Sequence, residues 1–61
     1  MKILTYRTRE KLSQQELAQK IGVTSAAVCQ YETGKRTPSI ELLKKIALAL
    51  NCTVDDLIKD K

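Results

Sequence analysis

The chain has 61 residues, and a domain of that length buries only about 60% of the surface of its unfolded chain, which argues against a deep catalytic pocket. Hydrophobic side chains make up 43% of the sequence and charged ones 30%, a balance typical of a packed globular protein and not of a disordered tail. The net charge is +4, and the whole excess falls in residues 1–36, the part of the chain to which a polyanion would be attracted.

Apolar residues recur at helical spacing along the whole chain, and no alternating strand pattern competes with them. The sequence therefore predicts an all-α fold of about five helices in a single domain over residues 1–61. The first helix is expected from about Lys2 to Lys11, with Ile3 and Tyr6 turned inward.

The second helix is predicted to begin after Ser13. This serine and Glu16 have the Ser-x-x-Glu spacing of a capping box, in which each side chain satisfies the other residue's free amide. Gly22 ends the helix, since glycine adopts the left-handed conformation without a Cβ clash. The side chains expected to be buried are Leu17, Ala18 and Ile21.

The third helix is predicted from Ser25 to Thr33, between a cap at Thr24 and a second terminating glycine, Gly34. Only Gly22 and Val23 separate the end of the second helix from this cap. So short a turn forces the two helices to cross steeply.

A fourth helix is predicted from the cap Ser39 through Leu50, and a fifth follows Thr53, which with Asp56 repeats the capping-box spacing. Val54 and Leu57 would pack the fifth helix down. The expected core stripe of the fourth helix is Ile40, Leu43, Ile46, Ala47 and Leu50.

Residues that could carry reaction chemistry are sparse. The chain has no histidine, and Cys29 and Cys52 lack the spacing of metal ligands, so no metal and no other cofactor is predicted. Without a histidine base, a carboxylate pair in a pocket or a glycine-rich phosphate loop, an enzyme is not expected. No apolar run suggests a signal peptide or a membrane span, and we expect a cytoplasmic protein with reduced thiols.

The outward side of the third helix carries no charge. On a helical wheel Val28 and Tyr31 fall on one side, with Ala27 at its edge. A charge-free face is suited to close contact with base edges, although it is also compatible with a protein-binding surface. The residues on this face are Ser25, Ala26, Cys29, Gln30 and Thr33.

The segment from Leu12 to Thr24 reads LSQQELAQKIGVT, and residues 34–39 read GKRTPS. Together with Val28, Tyr31 and Glu32, these segments closely resemble the Cro and phage-repressor family of helix-turn-helix regulators, often called XRE-type. The resemblance extends from about residue 3 to residue 57. It implies a lambda-repressor-like domain in which the second helix lies across the major groove of DNA and the third enters it.

The resemblance also implies individual roles. Gln14, Thr24, Lys35 and Arg36 match positions that contact DNA phosphates. Ser25, Ala26 and Gln30 match positions that usually meet bases, and Gln30 is the foremost candidate. Arg7 and Glu32 match a structural ion pair between the first and third helices.

The chain departs from the family pattern at several positions. Lys11 stands where relatives commonly have glycine, which puts the end of the first helix in doubt. Ala26 and Ala27 shorten the reading surface and favour a larger contribution from DNA shape. Cys29 is interpreted as a small tolerated residue rather than a redox sensor, and Cys52 as an apolar filler of the core.

The leading hypothesis is a sequence-specific regulator, a repressor, that binds a pseudo-palindromic operator as a homodimer. With no room expected for a separate dimerisation or small-molecule-binding domain, the dimer contact should lie within the domain, and Leu48 is the candidate. The alternative is a protein-interaction module, for example an antitoxin-like partner of another polypeptide.

Overall fold

The computed structural model describes residues 1–59, which form five helices and no strand. The helices are α1 (Ile3–Arg9), α2 (Gln14–Ile21), α3 (Ser25–Thr33), α4 (Ile40–Ala49) and α5 (Val54–Ile58). The predicted all-α, five-helix class is confirmed. Helices α2 and α3 form the predicted helix-turn-helix.

Local capping accounts for where most of the helices begin. Ser13 accepts a hydrogen bond from the Glu16 amide at 3.0 Å, and Glu16 accepts one from the Ser13 amide at 2.9 Å. Thr53 and Asp56 form the same reciprocal pair at the start of α5. Single hydroxyl caps begin α3 and α4, from Thr24 and Ser39. These four starts agree with the sequence prediction.

The turn between α2 and α3 depends on Gly22, whose φ is 78°. The amides of Gly22 and Val23 both donate to the carbonyl of Ala18, which closes the end of α2. Gly34 has the same left-handed conformation, with a φ of 80°, and ends α3. The two glycines set the length of the helices on either side of the turn, because a Cβ is strained in this region.

The end of α1 differs from the prediction. The helix stops at Arg9 and not at Lys11, and Lys11 has a φ of 59°. A lysine therefore occupies a left-handed conformation, which glycine adopts without a Cβ clash. The amide of Leu12 then donates to the carbonyl of Arg7, which completes the tight turn into α2.

The core draws one fully buried apolar side chain from each helix: Ile3, Leu17, Val28, Ile46 and Leu57. Leu50, at the C-terminal cap of α4, is equally buried. Cys52, Val54 and Tyr6 are half-buried and pack against this cluster. The amide of Lys2 donates to the carbonyl of Leu57 at 2.7 Å, so the start of α1 is tied to α5.

The prediction that Ile40 belongs to the core stripe of α4 was wrong. Its side chain is 67% exposed, whereas Leu43, Ile46 and Ala47 are buried as predicted. Ile40 is the first residue of α4 and lies beyond the part of the helix that packs against its neighbours. A helical wheel predicts the direction of a side chain but not whether another helix lies there.

Candidate nucleic-acid interface

Helix α3 has one buried face and one face open to solvent. Ala27, Val28 and Tyr31 are buried in the core. Every residue predicted for the outer face is exposed, and none of them is charged: Ser25, Ala26, Cys29, Gln30 and Thr33. The core contacts thus hold the helix in place without using the residues predicted to meet bases.

The N-terminal end of α3 combines a cap with a free hydroxyl hydrogen. Thr24 is exposed, and its Oγ1 accepts from the Ala27 amide at 3.1 Å. A hydroxyl that accepts at its oxygen keeps its own hydrogen available for an acceptor. Thr24 can therefore cap α3 and donate to an anion at the same time.

A basic loop follows the other end of α3. Lys35 and Arg36 are exposed, and the Arg36 amide donates to the carbonyl of Gln30 at 3.2 Å. Pro38 is buried and anchors the loop on the domain. The Arg36 backbone is thereby fixed at the end of α3, and the two exposed cations raise the potential for an anionic ligand at that end of the helix.

Gln14, the first residue of α2, is half-buried and contacts the end of α3. Its Nε2 donates to Oε1 of Glu32 at 2.9 Å. The Glu32 side chain is 5% exposed, so the acid of α3 is withdrawn from the outer face. Gln14, a predicted phosphate contact, therefore bonds to the same carboxylate that belongs to the predicted ion pair.

Arg7 completes this group. Its guanidinium pairs with Glu32 through Nε and Nη2, and its Nη1 donates to the carbonyl of Leu12 at 2.7 Å. The Arg7 side chain is 12% exposed. The structure thus brings Arg7 and Glu32 together as predicted from the resemblance. Arg7 also bonds to the backbone of the segment that connects α1 and α2.

The two thiols lie in different environments. Cys29 is exposed on the outer face of α3, while Cys52 is half-buried. Burial, followed by the nearby Asp56 carboxylate, raises the pKa of the Cys52 thiol. A raised pKa leaves less of the reactive thiolate at neutral pH, which fits the predicted role of Cys52 as a filler.

Sequence reasoning missed how these contacts connect. The Gln14 to Glu32 hydrogen bond joins residues 18 positions apart, and the Arg7 bond to the Leu12 carbonyl involves backbone. Neither has a local signal in the sequence. Leu48, named from the sequence as the candidate dimer contact, is 81% exposed.

Residues 3–57 match a family model described as helix-turn-helix. An HTH-type transcriptional regulator of Archaeoglobus fulgidus is 38% identical over 56 residues, which cover 92% of this chain and 80% of the relative. The cryptic phage CTXphi transcriptional repressor RstR of Vibrio cholerae is 32% identical, covering 97% of this chain and 53% of the relative. The transcriptional activator BcrR of Enterococcus faecalis is 35% identical, and this chain spans 28% of its length.

A solved structure supports the same assignment. The crystal structure of SinR, the master regulator for biofilm formation, in complex with DNA superposes with a TM-score of 0.86 at 34% sequence identity. The match covers 95% of this chain and 94% of that chain. Among residues 1–59, none of the helices has the length and apolar character needed to cross a membrane.

The family match spans nearly the whole chain. It includes the turn between α2 and α3, the caps at Ser13 and Thr24, and the outer face of α3. The family consists of DNA-binding transcriptional regulators, which confirms the prediction that the chain is not an enzyme. The chain belongs to the helix-turn-helix family of transcriptional regulators of the Cro and phage-repressor, or XRE, type.

Proposed function

We propose that this protein is a repressor that reads the major groove of double-stranded DNA with α3. The observation that carries the proposal is the exposed, uncharged outer face of α3, bordered by Lys35 and Arg36. A major groove about 12 Å wide admits an α-helix, and base edges require close approach by short or amide-bearing side chains. The SinR complex with DNA supports the choice of ligand.

We assign base contacts to Ser25, Ala26 and Gln30. A glutamine amide can pair with adenine through both a donor and an acceptor, serine can donate or accept, and an alanine methyl can pack on the methyl group of thymine. Gln30 carries the largest polar group on the outer face, so it is assigned the greatest share of base discrimination.

We assign phosphate contacts to Gln14, Thr24, Lys35 and Arg36. Gln14 and Thr24 stand at the starts of α2 and α3, where free backbone amides and the helix dipole also favour an anion. Lys35 and Arg36 add charge at the opposite end of α3. Contacts at both ends of the reading helix would fix its orientation along the groove.

The protein is proposed to bind a pseudo-palindromic operator as a homodimer, with one α3 in each half-site. We place the contact between copies at Leu48, which borders an open groove lined by Ile21, Ala49, Lys20 and Lys45. A two-fold contact here brings lysines of both copies together. The dimer would therefore form more readily on DNA, because the phosphates offset the repulsion between these lysines.

The proposed repressor acts in the cytoplasm, where the DNA of bacteria and archaea lies, by occupying sites that overlap promoters. RstR is named a repressor and BcrR an activator, so the family includes both signs of regulation. Transcription from a promoter that carries the selected operator should fall when this protein is added. A rise in transcript would overturn the repressor assignment.

The test of base reading is selection from random duplex DNA with the wild-type protein and with Gln30→Ala in parallel. We expect the variant to lose preference at one position in each half-site, at a cost of about 1 to 3 kcal/mol. Gln15→Ala is the matched control, because Gln15 is an exposed glutamine on α2 that does not line the groove beside Leu48. Unchanged preference in Gln30→Ala would remove Gln30 from the reading surface.

The alternative, a protein-interaction module, is separated from DNA binding by a salt titration. Phosphate contacts release counterions, so the affinity of a regulator for its operator falls steeply as salt rises. Absence of duplex binding at low ionic strength would favour the protein partner. The groove beside Leu48 is the surface on which such a partner would dock.

A further inference from the structure

The hydrogen bond between Gln14 and Glu32 sets the orientation of the Gln14 amide. A carboxylate only accepts hydrogen bonds, so the Gln14 side chain must turn its Nε2, and not its Oε1, toward Glu32. Nε2 carries two hydrogens, and the bond to Glu32 uses one. The other remains available for a second acceptor.

We propose that Glu32 is a positioning residue for the DNA backbone contact made by Gln14, in addition to being the partner of Arg7. Glu32 holds the amide so that its second N–H is presented to a phosphate oxygen. The inference rests on the proposed function, since it concerns how one of the assigned phosphate contacts is made. It identifies a DNA-binding role for a carboxylate that does not itself meet DNA.

Arg7 makes this arrangement electrostatically possible. A carboxylate close to a phosphate would repel it, and the guanidinium of Arg7 offsets that charge through its pair with Glu32. Arg7 also donates to the carbonyl of Leu12, immediately before the Ser13 cap of α2. The same pair thus holds the start of α2, where Gln14 lies.

The position of Glu32 in the chain adds a consequence for recognition. Glu32 lies near the end of α3, and Gln14 is the first residue of α2. A bond between them fixes the phosphate contact relative to the helix that reads bases. The distance between the backbone contact and the base contacts is therefore fixed before DNA binds. Ordering the Gln14 side chain then adds no further entropic cost to binding.

The test is a double-mutant cycle with Gln14→Ala, Glu32→Met, which has no oxygen to accept from Gln14, and the double variant on the selected operator. Each single change should weaken binding about fivefold, the effect of one lost hydrogen bond. If Glu32 acts through Gln14, the double variant should bind no more weakly than the weaker single variant. Losses that multiply would show that Glu32 acts through the fold alone and would overturn the proposal.

A second readout uses operators with one phosphate at a time replaced by a neutral methylphosphonate. The wild-type protein should lose affinity at the phosphate that Gln14 contacts, and both single variants should be insensitive to that replacement. Gln15→Ala, on the exposed side of the same helix, is the control and should keep the wild-type pattern. A Glu32→Met variant that remains as sensitive as wild type would contradict the positioning role.

A third measurement needs no substitution at Glu32 and covers the case in which that variant does not fold. In the free wild-type protein the Gln14 side-chain amide should be rigid by NMR relaxation, unlike those of the exposed Gln15 and Gln19. A mobile Gln14 amide would overturn the proposal. If the wild-type protein ignores duplex DNA, both this proposal and the proposed function fail; if Gln14→Ala alone binds normally, only this proposal fails.

Discussion

Among residues 1–59, two non-glycine residues adopt a positive φ, and the cost differs between them. Lys11 has a φ of 59° and Asn51 a φ of 54°, each in the turn after a helix. Asparagine tolerates this region better than most residues because its side chain is short and polar. The Asn51 side-chain amide also donates to Glu10, a residue at the end of α1, at 3.2 Å. Lysine has no such compensation. The strain is therefore concentrated at Lys11.

We expect Lys11→Gly to stabilise the domain by about 0.5 to 1 kcal/mol, because the relief of left-handed strain outweighs the added freedom of the unfolded chain. The measurement is the free energy of unfolding by urea. Lys11→Ala is the control, since alanine keeps a Cβ but removes the charge. An equal gain from alanine would show that charge, and not backbone strain, is responsible.

At the scale of helices, the two capping boxes make stability depend on pH. The Ser13 amide lowers the pKa of Glu16 below its ordinary value of 4.5, with the Ser13 hydroxyl as the second cause. The Thr53 amide lowers the pKa of Asp56 below 3.8 in the same way. Each ionised carboxylate thus stabilises a helix start. The contribution is complete above the ordinary pKa and is lost as the pH falls through the lower, folded-state value.

We predict that the midpoint of thermal unfolding falls more steeply on acidification for the wild-type protein than for Glu16→Gln. Glutamine retains an oxygen that accepts from the Ser13 amide but does not titrate. The difference between the two proteins should be largest near neutrality and shrink below the ordinary carboxyl pKa. Parallel curves for the two proteins would contradict a role for the Glu16 charge.

At the scale of the whole molecule, the exposed apolar side chains of α4 are candidates for assembly. Leu48 is 81% exposed and Ile40 is 67% exposed, and the two lie toward opposite ends of the same helix. Leu48 borders the groove between α2 and α4, whereas Ile40 is absent from its lining. The proposed dimer contact therefore includes Leu48 and excludes Ile40, although both are exposed apolar residues of α4.

Leu48→Lys should abolish cooperative binding to the two half-sites and weaken operator affinity about tenfold or more, equivalent to about 1.4 kcal/mol. Ile40→Lys adds the same charge to the same helix and should leave cooperativity intact. Both substitutions are at exposed positions, so neither should unfold the domain. Quantitative footprinting of both half-sites measures the effect, and equal loss in the two variants would remove Leu48 from the contact.

The sequence alone was sufficient for features that depend on near neighbours. The starts of α2, α3, α4 and α5 follow from Ser and Thr caps, and the ends of α2 and α3 from Gly22 and Gly34, because these hydrogen bonds and conformations involve residues a few positions apart. The outer face of α3 also follows from helical periodicity. The motif spacing then led to the family and to the candidate site residues.

Only the tertiary structure decided features that depend on how helices meet. Ile40 has the periodicity of a core residue but remains largely exposed. The bond between Gln14 and Glu32 exists because α2 and α3 cross at the turn. Lys11 ends α1 early because the chain must turn sharply into α2, a requirement that outweighs the lysine's own preference for a helix. Periodicity is a property of one segment, whereas burial and long-range hydrogen bonds are properties of pairs, and their free energies are realised only once the segments have packed.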